Sequence, residues 1–379
     1  MKDHSLEVHG CHTYDATGAI SPSICLSATF RHPRFGESTG YDYGRVANPT
    51  RESLEKTVAL LERGGRSWAL SSGMAAVQLV FSLLSAGDHV LMSEDLYGGT
   101  VRLAEEVFAG YGVTFEYVDV RDLALVGKRM RSETKLVFIE TPSNPMMQIA
   151  DIAALSALAH ENGVLLAVDN TFLSPHFQKP LTLGADIVLH SGTKYLCGHN
   201  DVIAGFLVLK DATSAQAKRI ELLAKSAGPN LSALDSWLML RSIKTLGVRV
   251  ERQAENALAI ARWLGTLPEV TEVLYPGLAD HPGYALQQKQ ASGAGGMISF
   301  KVRSAELAKA ALGRLHLIAF AESLGGVETL LTYPIAQTHA EMPAALLKRT
   351  GLDDKLLRLS VGIEDVEDLK ADLQQALQG

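Results

Sequence analysis

The chain has 379 residues, 47% of them hydrophobic and 20% charged, enough for two domains or for one large domain with a smaller one appended. A formal net charge of -7 and the lack of any lysine–arginine cluster exclude a basic nucleic-acid-binding face. Cys11, Cys25 and Cys197 stand too far apart for a disulfide framework or a zinc motif and suit a reducing compartment.

Residues 1–7 are polar and lack the apolar core of a signal peptide. Residues 1–50 show no sustained hydrophobic period and carry Pro22, Pro33, Gly36, Gly40, Gly44 and Pro49. They are expected to form an extended arm that packs on something else. From Arg51 onward the pattern alternates. Strands are predicted at 67–70, 89–93, 114–118, 135–140, 165–169, 187–191 and 203–209, and helices at 50–62, 74–84, 99–110, 152–162 and 215–223. Such alternation predicts a doubly wound, mostly parallel α/β sheet spanning 51–247.

The uncharged stretch 67–87 has the length of a membrane span, but Ser71-Ser72-Gly73, Gln78, Ser82 and Ser85 interrupt it. A strand, a glycine turn and a buried helix account for it, and the chain reads as cytosolic. A long helical pattern at 234–265 leads to a smaller α+β domain, 248–379, with strands predicted at 270–275, 297–302 and 315–320 and helices at 304–313 and 365–377.

The chemistry gathers where strands end. Lys194 follows one apolar run in Ser191-Gly192-Thr193-Lys194, and Asp169 ends another. In α/β folds the C-terminal ends of parallel strands carry the site. A lysine and an aspartate at two such ends suit pyridoxal 5'-phosphate: the amine forms the imine, and the carboxylate keeps the ring nitrogen protonated. Either residue alone also fits a surface lysine or a loop cap. Ser71-Ser72-Gly73-Met74 opens a helix after a strand, where free amides and the helix dipole suit a phosphate. Ser191 and Thr193 add hydroxyls there. Tyr97, flanked by glycines, is placed to stack on a ring. Asn144, between Pro142 and Pro145, presents an amide to the ring's phenolic oxygen, and Thr171 stands beside Asp169. Arg358 interrupts the apolar run Leu356-Leu357-Arg358-Leu359, which calls for an anion; a substrate carboxylate and a structural ion pair both answer.

Together the motifs resemble the cystathionine synthase/lyase family of pyridoxal-phosphate enzymes over essentially the whole chain. The strings are Tyr43-x-Arg45-x-x-Asn48-Pro49-Thr50-Arg51, Ser72-Gly73-Met74-Ala75-Ala76, Tyr97-Gly98-Gly99, Pro142-Ser143-Asn144-Pro145, Asp169-Asn170-Thr171-Phe172, Thr193-Lys194-Tyr195, Glu322-Ser323-Leu324-Gly325-Gly326 and Arg358-Leu359-Ser360-Val361-Gly362. The resemblance implies the aspartate-aminotransferase-like, or type I, fold: a mostly parallel seven-stranded sheet with a smaller C-terminal domain. It also implies a homotetramer of dimers that share active sites.

Carried over, Lys194 would bind the cofactor and move protons, and Asp169 would face the ring nitrogen. Tyr97 would stack on the ring and activate the substrate. Gly73, Met74, Ser191 and Thr193 would hold the phosphate, helped by Tyr43 and Arg45 of an adjacent subunit. Arg358 and the main chain near Ser323 would bind the substrate carboxylate, with Asp42 and Glu322 reading its distal part. Gly99 stands where methionine γ-lyases carry cysteine. The texture around Gly36–Tyr43 and Thr332-Tyr333-Pro334-x-x-x-Thr338-His339 looks most like bacterial γ-synthases acting on O-acetylhomoserine with cysteine. A γ-lyase, a β-lyase and an O-acetylhomoserine sulfhydrylase are the alternatives.

Other chemistries lack their motifs. No G-x-G-x-x-G follows a strand, no G-x-S-x-G occurs, and the twelve histidines include no H-E-x-x-H spacing. Cys11-His12 and the scattered histidines read as structural.

Overall fold

The computed structural model describes residues 1–11 and 17–378; His12 therefore lies outside the described residues. Seven strands form one sheet: β1 Arg66–Leu70, β2 His89–Ser93, β3 Thr114–Val118, β4 Thr134–Glu140, β5 Leu165–Asp169, β6 Ile187–Ser191 and β7 Gly205–Leu209. Their order is β1-β7-β6-β5-β4-β2-β3. β3, β2, β4, β5 and β6 run parallel, and β7 pairs antiparallel with both β6 and β1.

The strands are near-continuous apolar runs because both sheet faces are covered. Val137, Ile139, Leu166, Val168 and Val188 pack on one face against Leu54, Val58, Ile152 and Leu155. Leu136, Phe138, Ala167, Ile187 and Leu189 pack on the other against Val77, Phe81 and Ile220. Polar side chains start the covering helices. Asn48 Oδ1 accepts from the amides of Thr50 and Arg51, Ser72 Oγ from Ala75, and Asp151 Oδ1 from Ala154. Each such cap contributes about 1 kcal/mol.

The second sheet has order β10-β11-β12-β9-β8, from β8 Val270–Leu274, β9 Met297–Val302, β10 Ala319–Phe320, β11 Leu330–Thr332 and β12 Leu356–Ser360. It has its own core, in which Ile298, Phe300, Leu357 and Leu359 meet Leu369 and Leu373 of the helix Val366–Gln378. The strand predicted at 315–320 shrinks to two residues. The amides of His316, Leu317 and Ile318 all donate to the Asp372 carboxylate, so they are not free to build a ladder.

The helix predicted at 234–265 is two helices, Ala233–Ile243 and Leu246–Leu264. Arg249 holds the break, donating to the carbonyls of Ser242 and Tyr195. The expected border at 247/248 falls in the first turn of the second helix. The helix predicted at 99–110 is an α-helical turn, Gly98–Arg102, followed by a π-helical stretch, Leu103–Phe108.

Most of the arm is extended, as expected, but it begins with a helix, Asp3–His9. Glu7 fastens that helix, accepting from the Gly247 amide at 3.1 Å and facing His176 Nδ1 at 2.7 Å. Ligand-type atoms of His4, Glu7 and His176 lie within 4.8 Å of one another. The other nitrogen of His176 faces Glu251 at 3.2 Å, so the ring is held between two carboxylates as an ion pair. The uncharged stretch 67–87 resolves into β1, a turn and the helix Gly73–Phe81. No helix among the described residues is long and apolar enough to cross a membrane.

Candidate active site

The C-terminal ends of β2, β4, β5 and β6 converge on one cavity of about 260 Å³. Lys194, Tyr97, Gly73, Met74, Asn144, Asp169, Thr171, Ser191, Thr193, Glu322, Ser323 and Arg358 all line it. Asp42, Tyr43 and Arg45 do not line the cavity of their own chain. Asp42 accepts from Ser38 Oγ at 2.6 Å. Arg45 lies 5.5 Å from the Tyr43 ring centre and donates to the Lys225 carbonyl.

Lys194 Nζ donates to Ser323 Oγ at 2.6 Å. Burial, and then the Arg358 charge, pull its basicity down to about 8, against the opposing pull of Glu322. A lysine in that state exposes far more neutral amine near physiological pH than an ordinary one, although the charged form still leads.

Asp169 is backed by Thr171, whose amide (3.0 Å) and hydroxyl (2.5 Å) both donate to Asp169 Oδ1. Thr171 Oγ1 also accepts from the Ser191 amide at 2.9 Å, tying β5 to β6. Register pairs Asp169 with Glu140 on the neighbouring strand. Burial raises both carboxyls, and Asp169 raises Glu140 further, well above the usual carboxylate range. Two adjacent buried carboxyls do not both ionise. Asp169 has the better donors, so of the two it holds the charge more readily, while Glu140 is the one pushed further towards its protonated form. Glu140 also accepts from the Tyr97 amide at 3.1 Å, which fixes the start of the Tyr97 loop. Sequence reasoning missed this role; both residues end adjacent predicted strands, which was the available signal.

At the N-terminus of the helix Gly73–Phe81, the amides of Gly73 and Met74 have no protein acceptor among the described residues. A Cβ on Gly73 would sit 2.8 Å from Ser191 Cβ, so only glycine allows this close approach. The Ser191 hydroxyl is free to donate, whereas the Thr193 hydroxyl already donates to the Ala204 carbonyl. These groups make an anion seat of the kind a phosphate takes.

Arg358 is 1% exposed on β12. Its Nη1 donates to Asn144 Oδ1 at 2.7 Å and its Nη2 to the Ser323 carbonyl at 3.2 Å, while Nε has no partner among the described residues. Burial lowers its basicity to about 10. With Oδ1 so engaged, Asn144 has only its amide nitrogen left to offer the cavity. Thr338 also lines the cavity, and its hydroxyl meets His339 Nδ1 at 2.8 Å. Burial, followed by Arg358, lowers His339 to about 4, which keeps that ring neutral.

A buried lysine of lowered basicity, a buried carboxyl held by a threonine and an anion seat at a helix start, grouped at the ends of parallel strands, define a site built for pyridoxal 5'-phosphate in an α/β enzyme. Residues 4–378 match the family described as Cys/Met metabolism PLP-dependent enzyme, and the chain belongs to that family. It is 47% identical to a cystathionine γ-lyase of Bacillus subtilis over 379 residues, covering 100% of both chains. It is 46% identical to a cystathionine β-lyase, MetC, of the same organism, covering 96% of this chain and 93% of the other. A solved cystathionine γ-synthase from Xanthomonas oryzae, in complex with aminoacrylate and cysteine, superposes with a TM-score of 0.96 at 41% identity, covering 100% and 98%. The chain is thus a pyridoxal-phosphate enzyme of cysteine and methionine trans-sulfuration.

Proposed function

We propose that the enzyme is of the cystathionine γ-synthase type, replacing the acyl group of an O-acyl-L-homoserine by L-cysteine to give L-cystathionine. The observation that carries this is Glu322. Glu322 is an exposed residue lining the same cavity as Lys194 and Arg358. A carboxylate there suits the distal ammonium of cystathionine, or that of an incoming cysteine, while Arg358 takes the α-carboxylate.

Pyridoxal 5'-phosphate, when bound, supplies an aldehyde for the substrate amine and a protonated ring that draws electrons from Cα. Lys194, Asp169, Asn144 and Thr171 would hold its ring, with Gly73, Met74, Ser191 and Thr193 around its phosphate. Arg358 and the Ser323 backbone orient the substrate. Lys194 Nζ would take the Cα proton, give it up, and so be free to take a second from Cβ, so that the acyl group leaves as its carboxylate; the same amine would return one proton to Cβ and one to Cα once the new bond is made. Tyr97 lines the cavity where it would cover the ring and activate the substrate amine. The cysteine sulfur would bond to Cγ, its proton passing to solvent to balance the departed carboxylate, with Glu322 holding the cysteine.

The type I fold is supported by the seven-stranded order, in which only β7 runs against the rest. A homotetramer of dimers is supported by the arm, which exposes Ile20, Leu26 and Phe35 and keeps Tyr43, Arg45 and Asp42 away from their own cavity. In that assembly they complete a neighbour's site. The division into 1–50, 51–247 and 248–379 and a cytoplasmic location belong to the same proposal.

Incubation with O-acetyl-L-homoserine and L-cysteine tests the reaction. Cystathionine is the expected product. Release of only ketoacid with cysteine or homocysteine from supplied cystathionine would make the enzyme a lyase instead. The full-length identity to a γ-lyase favours that second reading.

A further inference from the structure

Behind Asp169, on the other face of the seven-stranded sheet, four polar side chains are sealed in the core. Glu62, Asn170, Gln178 and His190 are each 1% exposed or less. Glu62 Oε1 meets His190 Nε2 at 2.6 Å and accepts from Asn170 Nδ2 at 2.9 Å. Asn170 Nδ2 also donates to the Gln178 carbonyl at 2.9 Å. Gln178 Nε2 donates to Asn170 Oδ1 and to the Thr141 carbonyl, both at 3.0 Å.

Three members of this network, Thr141, Asn170 and His190, sit one residue from a cavity residue. Thr141 follows Glu140, Asn170 follows Asp169, and His190 precedes Ser191. One network thus fastens the ends of β4, β5 and β6. Side chains alternate along a strand, so His190 shares the face of Val188, opposite the face of Ala167 and Asp169.

The electrostatics are unusual. Glu62 is fully buried, and its Oε2 has no partner among the described residues. A carboxylate kept in a dry core needs a counter-charge, and His190 is the ionisable group that touches it. A hydrogen-bonded network could have been built there from neutral groups alone, so the pair asks for a reason.

We propose that Glu62 and His190 are positioning residues for the cofactor: Glu62 holds His190 as an imidazolium behind Asp169, and that charge keeps the proton of the Asp169–ring-nitrogen contact on the ring. A cation behind the carboxylate favours its charged form, and the shared proton stays with the pyridine. Burial raises Asp169, and the bonds from Thr171 and then the His190 charge act against that rise. The inference rests on Asp169 being the ring-nitrogen partner, as proposed above.

The test uses holoenzyme reconstituted with pyridoxal phosphate labelled with 15N in the ring. Glu62→Gln keeps an acceptor at Oε1 for both donors and removes only the charge. In the unaltered enzyme the ring nitrogen signal is expected at the protonated position. In Glu62→Gln and in His190→Gln it should move towards the unprotonated position, a change of about tenfold in the proton equilibrium for each unit of lost acidity difference. A wild-type signal in either folded variant would overturn the proposal.

A neutron structure of the unaltered holoenzyme gives a reading that needs no variant. Deuterons on both His190 nitrogens and on the ring nitrogen are expected, with none on Asp169; a singly protonated His190 would refute the proposal. Asp169→Asn separates the two claims. If that variant leaves the ring signal protonated, the role of Asp169 itself fails. If it shifts the signal while both Gln variants do not, only the part given to Glu62 and His190 fails.

Discussion

Ser323 accepts a hydrogen bond from Lys194 Nζ at 2.6 Å while holding a left-handed backbone, φ +85°. A non-glycine residue pays about 1–3 kcal/mol for such a conformation, and here Arg358 helps hold it by donating to the Ser323 carbonyl. The strain sits between Lys194 and Arg358, two residues of the same cavity. Ser323→Gly should therefore raise the thermal midpoint, by an amount worth about 1 kcal/mol, and lower turnover. Calorimetry and steady-state kinetics check both. A destabilised variant would show that φ is not strained there.

Arg358→Lys should raise the KM for the amino-acid substrate by roughly 10- to 100-fold, since a charge-assisted bond to a buried partner is worth about 1.5–3 kcal/mol. Lysine cannot serve Asn144, Ser323 and a carboxylate from one planar fork. An unchanged KM would leave Arg358 only its structural bonds to Asn144 and the Ser323 carbonyl.

Lys194 sets a pH dependence in the cofactor-free enzyme. Only the neutral amine attacks an aldehyde, so capture of pyridoxal phosphate should speed up about tenfold per pH unit below 8 and level off above it. Stability follows by linkage. The folded chain holds this proton less tightly than the unfolded one, whose lysine has the ordinary value of 10.5, so stability should rise between about pH 8 and pH 10.5. Stopped-flow absorbance and denaturation midpoints test the two. Capture that still accelerates at pH 10 would contradict the burial of this amine.

Gly99→Cys should displace Tyr97. A Cβ at this position would meet Tyr97 Cε1 at 2.5 Å and Met74 Sδ at 3.2 Å. Tyr97 is 39% exposed and has room to turn, so the protein should fold, with its visible circular dichroism altered by loss of the stacked ring. An unchanged signal would mean Tyr97 does not cover the cofactor.

The strands were the most legible part of the fold. β2, β3, β5, β6 and β9 have the bounds the apolar runs predict, because strands buried on both faces carry no competing pattern. The residues around Lys194 were legible for the same reason, since each sits just past such a run. What escaped depended on distant partners. The 315–320 segment kept only two strand residues because Asp372 takes the amides before them, and the long helix broke where Arg249 reaches back to Ser242. β11 and β12 are short strands defined by their neighbours. Glu140 became intelligible only through its register with Asp169, and Thr338 reaches the cavity from a loop that carries no periodic signal.

Borohydride reduction of the holoenzyme, followed by proteolysis and mass mapping, tests most directly whether Lys194 is the covalent anchor of the cofactor. The pyridoxyl label is expected on the peptide containing Ser191-Gly192-Thr193-Lys194, at Lys194. A label on another lysine, or none, would contradict it.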